Sequence, residues 1–249
     1  MYRFRIIIVF LFMPCILTGC RADVHKRHHV VALLDASASI APISFADAIH
    51  SSQTVIKLLQ RGDRLSVLPV LSKATQMQGS VLRFDVPEER EPYDADLSKL
   101  YRSVAKALTD LQTSVREHPT EKTDILGALD VVAEEFALDG ADVQHTLIIF
   151  SDFLEDDGRF NFVTAPELGA ERTAKKLAGD LAEQNHHVLK AKAYLGLLRS
   201  NDYDALAPAR RRAVLTFWST LLQRYGAKTT IATDGPGLLK HFLGSPATQ

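Results

Sequence analysis

The chain has 249 residues, of which 46% are hydrophobic and 24% are charged, and its formal net charge is −1. This length allows one globular domain with a substantial core, and the near-neutral charge argues against a nucleic-acid-binding protein. Only two cysteines are present, Cys15 and Cys20, which excludes a small disulfide-stabilised scaffold.

The first twenty residues have the features of an export signal. Two arginines precede an apolar stretch at 6–17, which is shorter than the about 20 residues that a spanning helix needs. The stretch ends in Leu17-Thr18-Gly19-Cys20, which resembles the cleavage box of bacterial lipoproteins. The resemblance implies a signal peptide at 1–19, an acylated Cys20 and a tether at 20–28. Simple secretion with an unmodified cysteine is the alternative.

An acylated cysteine would anchor the chain to the cell membrane or the outer membrane, with the domain facing the periplasm or the exterior. Removal of the signal with its two arginines would leave 27 basic and 30 acidic residues, a formal charge of −3. No feature of the mature chain then predicts a nucleic-acid partner.

The most informative segment is an apolar strand, Val30 to Leu34, that runs directly into an Asp-x-Ser-x-Ser loop. Every second side chain of a curved loop can face the same point, so Asp35, Ser37 and Ser39 can surround one ion. Carboxylate and hydroxyl oxygens are hard donors that suit Mg²⁺, with Mn²⁺ or Ca²⁺ as substitutes. Taken singly, the two serines could instead cap the helix that follows.

Strands and amphipathic helices alternate along the rest of the chain, which predicts a mostly parallel sheet with helices on both faces. The predicted elements after the loop are helix 42–61, strand 64–71, strand 80–86, helix 97–115, helix 125–136, strand 145–150, helix 171–184, strand 187–195, helix 210–225, strand 229–232 and a short terminal helix. The strand at 80–86 suits an antiparallel edge. Pro69 cannot donate to a ladder and should mark a bulge or an unpaired side.

Two further residues join the candidate site. The strand at 145–150 is apolar throughout, as expected in the middle of a sheet, and it delivers Asp152 at its carboxyl end. Thr123 opens the helix before that strand, although Thr123 or Asp124 could simply cap it. Because ligands gather beyond the carboxyl ends of parallel strands, Asp35 and Asp152 are expected to meet.

The residues Asp35, Ser37, Ser39, Thr123 and Asp152, in this order and on these elements, resemble the metal-ion-dependent adhesion site of von Willebrand factor A (vWA) domains. The resemblance implies that the two serine hydroxyls bind the ion and that the threonine binds it directly or through water. The two aspartates would act largely through water. One coordination position would remain for an acidic side chain of a protein partner.

The resemblance covers nearly the whole chain from Val30 to Leu243. It implies one vWA domain at 29–244 followed by a tail at 245–249. The implied fold class is α/β, a doubly wound, mostly parallel sheet with helices on both faces and one antiparallel edge strand. The strands that carry Asp35 and Asp152 would be adjacent at its centre.

Three further features of the sequence need an interpretation. Phe153 stands where glycine usually follows in vWA domains, so it is expected to narrow the approach to the ion or to contact the partner. Glu155-Asp156-Asp157 is interpreted as a solvated acidic loop rather than a second cation site, because calcium-loop spacing is absent. The pairs His28-His29 and His186-His187 are expected at an exposed sheet end, opposite the metal site.

Three functions are compatible with these residues. The first is an exported, lipid-anchored binding protein, not an enzyme, that engages a protein partner through a cation. The second is a Mg²⁺-dependent phosphohydrolase with Asp35 as nucleophile. It is disfavoured because haloacid dehalogenase-type sites want a second aspartate two residues later, where this chain has Ser37. The third is a structural domain with a vestigial metal site.

Overall fold

A six-stranded sheet of order β3-β2-β1-β4-β5-β6 forms the centre of the molecule. The computed structural model describes residues 25–88, 93–232 and 237–238. The strands are β1 (His28–Asp35), β2 (Arg64–Val70), β3 (Leu82–Asp85), β4 (Gln144–Ser151), β5 (Ala191–Leu197) and β6 (Lys228–Ala232). All neighbouring pairs are parallel except the edge pair β2–β3. The predicted fold class, with its one antiparallel edge, is confirmed.

Helices cover both faces of this sheet, as expected for a doubly wound fold. They are α1 (Pro42–Leu58), α2 (Ala74–Gln78), α3 (Tyr93–Glu117), α4 (Ile125–Ala137), α5 (Glu171–Asn185), α6 (Asn201–Ala205) and α7 (Pro208–Arg224), with a 3₁₀ turn at Pro166–Gly169. One core packs beneath α1 and α3, and a larger one beneath α4, α5 and α7. In the described part of the chain, no helix has both the length and the apolar character needed to cross a bilayer.

The central strand β1 is buried on both faces. Val30, Ala32 and Leu34 pack into the core beneath α1 and α3, whereas Val31 and Leu33 pack into the opposite one. This follows from the period of two that a strand imposes on its side chains. Because β1 pairs with β4 along its length, the carboxyl ends of these two strands lie side by side.

Several element bounds differ from the sequence prediction. Helix α2 lies between the predicted strands 64–71 and 80–86, and α6 lies between the predicted strand 187–195 and helix 210–225, where no helix was predicted. Strand β5 begins at Ala191 rather than at residue 187. The chain first turns at His186 and Lys190, which both have positive φ, so that Leu189 can donate a hydrogen bond to the carbonyl of Tyr225. Apolar pattern alone does not reveal such turns.

The edge strand β3 pairs with β2 only from Arg64 to Val67. Pro69 therefore lies beyond the end of β3 and has one side without a paired strand, as predicted.

The first described residues contact other residues at the amino ends of the strands. His28 and His29 belong to β1 and are 8% and 1% exposed, so the prediction of an exposed sheet end is wrong for this pair. The reason is a set of polar partners: His28 contacts Thr146, and His29 contacts Ser66 and Asp139. The predicted signal peptide, Cys20, most of the tether and the tail at 245–249 lie outside the described residues.

Candidate metal centre

Asp35 is the anchor of the candidate site. It is 0% exposed at the end of β1. Its Oδ1 accepts a hydrogen bond from the backbone N–H of Ser37 at 3.0 Å, which turns the loop back on itself. Its Oδ2 accepts from Ser151 Oγ at 2.5 Å, which joins the ends of β1 and β4. A single side chain thus fixes both the motif loop and the neighbouring strand end.

Ser37, Ser39 and Asp152 continue this network. The hydroxyl oxygens of the two serines lie 3.0 Å apart, and Ser39 Oγ donates to Asp152 Oδ2 at 3.2 Å across 113 positions of sequence. The other oxygen of Asp152 accepts from the backbone of Leu154 at 3.0 Å. Four of the five predicted site residues are therefore joined by hydrogen bonds.

Thr123 lies on the loop beside this cluster. The loop is held to the motif by two backbone hydrogen bonds, Ala38 N–H to Thr120 O at 2.9 Å and Thr120 N–H to Ala36 O at 3.2 Å. Thr123 itself is 5% exposed and its backbone pairs with Asp156. Within the described ranges, no hydrogen bond joins its hydroxyl to the other four site residues.

The electrostatics of Asp35 and Asp152 are unfavourable without a cation. Burial, followed by the charge of Asp35, raises the pKa of Asp152 to about 7, and hydrogen bonds from Ser200, Leu154 and Ser39 oppose this rise. Burial also raises the pKa of Asp35. Within the described ranges, neither carboxylate forms an ion pair with a basic side chain. Two buried carboxylates need a proton or a cation, and these oxygen donors suit a hard divalent ion.

Phe153 has a different role from the one predicted. Its side chain is 0% exposed and packs against Trp218, with ring centroids 6.5 Å apart. The indole N–H of Trp218 donates to the Phe153 carbonyl at 2.9 Å. The prediction that Phe153 narrows the approach to the ion or contacts a partner is wrong. Its φ of 64° explains why glycine suits this position, because glycine adopts positive φ without strain.

Sequence reasoning missed two serines that support the site. Ser151 bridges Asp35 and the backbone of Phe153, and its place at the end of an apolar strand next to Asp152 was an available signal. Ser200 opposes the rise in the pKa of Asp152, and its backbone pairs with Ile40 of the motif loop. Ser200 follows β5, and only the strand order places it there.

Glu155 is not part of a solvated loop, contrary to the prediction. It is 1% exposed, and its Oε2 accepts from the first backbone N–H groups of α4, those of Ile125 at 3.0 Å and Leu126 at 3.3 Å. Burial raises its pKa well above the usual range, and the charges of Asp124 and Asp157 add to the rise. The sequence showed the three consecutive acids but not that the first turns inward.

The solved structures to which this chain is similar share little sequence identity with it. No protein-family model and no curated protein matches the chain. Among solved structures, the chain is similar to a manganese-loaded Plasmodium vivax TRAP protein, with 12% identity and a TM-score of 0.45, over 90% of this chain and 74% of that one. It is also similar to a von Willebrand factor type A structure from Catenulispora acidiphila, with 14% identity and a TM-score of 0.47, over 87% of this chain and 41% of that one. The fold class follows from the strand order itself, independently of these likenesses.

Proposed function

We propose that this chain is an exported, lipid-anchored binding protein whose domain engages a protein partner through a divalent cation of the Mg²⁺ type. The observation that carries the proposal is the pair of buried aspartates at adjacent strand ends: Asp35 accepts from the backbone N–H of Ser37, and the hydroxyls of Ser37 and Ser39 continue the link to Asp152. The residues that would hold the ion are Asp35, Ser37, Ser39, Thr123 and Asp152, with the two aspartates acting largely through water. Mn²⁺ and Ca²⁺ are substitutes with the same oxygen preference.

The composition of the site favours a ligand with a negative charge. Two carboxylates and three neutral hydroxyls leave the ion short of electron density, so an acidic side chain of a partner would complete its coordination. An apolar cavity of about 210 Å³ adjoins Ser37 and is lined by Ile40, Phe45 and Val115 among others. We therefore infer that the partner presents an acidic residue with an apolar neighbour.

The geometry of Asp35 argues against the phosphohydrolase alternative. Both of its oxygens accept hydrogen bonds and the side chain is fully buried, whereas a nucleophile needs an oxygen that faces the substrate. We expect no Mg²⁺-dependent phosphatase turnover in the wild type. Turnover that is lost in Asp35→Asn would overturn this assignment.

The decisive experiment is affinity capture from native membranes with the full chain as bait. Wild type is expected to retain its partner with Mg²⁺ and to release it with EDTA, and Asp152→Asn should retain nothing in either condition. Asp156→Asn is the matched control, because it removes the same charge from an acid that bonds Asn161 rather than the site. Retention of the same proteins by wild type in EDTA would contradict the proposal.

A further inference from the structure

Three carboxylates outside the site described above converge at the first turn of α4. One oxygen each from Asp124, Glu155 and Asp157 lies within 4.8 Å of the other two. Oxygens that share one Ca²⁺ at about 2.3–2.6 Å can be separated by at most about 5 Å, twice the bond length. The geometry points to a second cation site of the Ca²⁺ class, formed by Asp124, Glu155 and Asp157.

Glu155 supplies an independent indication of a missing ligand. Its Oε2 is taken by the N–H groups of Ile125 and Leu126, but its buried Oε1 has no hydrogen-bond partner in the part of the chain that the structure describes. Both oxygens belong to one carboxyl group, so Oε1 lies beside the same cluster. A cation bound at this cluster would give Oε1 the partner that it lacks.

The charge balance of the cluster also suits a divalent ion. Arg159 contacts Asp157 through Nε and Nη2, each at 2.6 Å from Oδ2. The three carboxylates and this guanidinium together carry a formal charge of −2. The side chain of Arg159 is 67% exposed while that of Asp157 is 4% exposed, so the guanidinium lies on the solvent side of the cluster and can turn away from an arriving ion.

A solvent route reaches the cluster. An open groove of about 980 Å³ is lined by Asp124, Asp157 and Arg159, together with residues of the α2 segment and the loop before α4. A hydrated ion can enter by this groove and keep waters as further ligands, which matters because Ca²⁺ takes about 6–8 oxygens.

Occupancy of this site would connect two segments that also carry the first one. Asp124 begins α4, whereas Glu155 and Asp157 follow β4. Between them, the backbones of Thr123 and Asp156 already exchange hydrogen bonds of 3.2 and 2.9 Å. The second ion would therefore stabilise the loop of Thr123, although its binding does not require the first ion.

Calorimetric titration of the full chain with Ca²⁺ tests this inference in an Asp152→Asn background, in which the first site lacks a carboxylate. We expect one bound equivalent. Adding Asp157→Asn should weaken binding by about tenfold or more, because one of three charged ligands becomes neutral. Adding Asp156→Asn, which removes the same charge one position away from the cluster, should leave the affinity unchanged.

A second test uses Arg159→Ala, which removes the guanidinium that competes with the cation for the carboxylate of Asp157. In the same background it should tighten Ca²⁺ binding, because the carboxylates lose their internal cation. Absence of Ca²⁺ binding in Asp152→Asn, or equal affinity after Asp157→Asn, would overturn the second site. If Asp157→Asn does not fold, unchanged or weaker binding in Arg159→Ala would overturn it instead.

Discussion

At the scale of single residues, the pair Asp35 and Asp152 is the strongest indication of function. Hydrogen bonds from serine hydroxyls and backbone N–H groups stabilise each carboxylate, yet burial still disfavours their charge. Structural aspartates are usually paired or exposed. Two buried carboxylates without a basic partner are expected where a bound cation neutralises their charge.

The first prediction concerns Asp152→Asn in EDTA. The folded-state pKa of Asp152 is about 7, whereas its ordinary value is 3.8. Ionisation of this buried carboxylate therefore destabilises the native protein fully above pH 7, and the destabilisation disappears as the pH falls from 7 towards 3.8. At pH 8, the substitution should raise the free energy of unfolding by about 1–3 kcal/mol. Denaturant unfolding measures this, and a less stable variant would contradict it.

Added Mg²⁺ should make the wild type more stable than Asp152→Asn, which is the reverse of the order expected in EDTA. Wild type is expected to gain RT ln(1 + [L]/Kd), about 2.7 kcal/mol at a hundredfold excess over Kd, whereas Asp152→Asn should gain much less. An unchanged wild-type midpoint over millimolar Mg²⁺ would support a vestigial site.

The second prediction concerns Phe153, whose ring is buried against Trp218. Phe153→Ala should lower the free energy of unfolding by about 3–5 kcal/mol, the range for loss of a buried phenyl ring. Val163→Ala is the control, because Val163 is 40% exposed and its truncation should change stability by about 0.5 kcal/mol or less. A loss of less than about 1 kcal/mol at Phe153 would show that its ring does not pack in the core.

At the scale of elements, the amino ends of the central strands are joined by buried polar contacts. His28 Nε2 lies 2.7 Å from Thr146 Oγ1 of β4, and His29 Nε2 lies 2.9 Å from Ser66 Oγ of β2. These contacts link three neighbouring strands at the end opposite the metal centre. They also make the sheet sensitive to acid.

The third prediction is that the protein loses stability in acid because His28 becomes protonated. Burial lowers the pKa of His28 from 6.5 to about 4, with Asp63 opposing the shift and Lys192, His25 and His29 adding to it. Between these values the unfolded chain binds the proton and the native one does not, so the contribution of neutral His28 is complete above pH 6.5 and is lost as the pH falls to 4. The loss amounts to about 3 kcal/mol.

Unfolding free energies measured from pH 7 to 4 check this. His28→Gln should flatten the dependence on pH, and His186→Gln, at an exposed helix end, should not. Equal slopes for wild type and His28→Gln would contradict the prediction.

The elements themselves were largely predictable, because buried strands and amphipathic helices repeat at distinct periods. The errors fall where periodicity is weak. The short helices α2 and α6 have five residues each, too few for a pattern, and the turns before β5 depend on a contact with Tyr225. The burial of polar residues such as Glu155 and His29 was not predicted, because a polar side chain can be buried when hydrogen-bond partners are present in the interior.

At the scale of the whole molecule, we propose that the amino-terminal segment exports the domain and anchors it to a membrane. The fourth prediction is that wild type incorporates a radiolabelled fatty acid and sediments with membranes, because several acyl chains give stable anchoring. Cys20→Ala should lose both properties. Cys15→Ala is the control and should keep both, since Cys15 lies within the predicted signal. Label that persists in Cys20→Ala would contradict lipidation.

The sequence by itself determined most of the strands and helices and the presence of Asp35, Ser37, Ser39 and Asp152 at or just after strand ends. Those are local properties, set by the period of apolar residues and the chemistry of each side chain. Only the tertiary structure decided that Ser151 and Ser200 support the site, that Phe153 turns inward, and that Glu155 joins Asp124 and Asp157. Burial and contact between distant segments arise when strands pair and helices pack, and no local pattern encodes them.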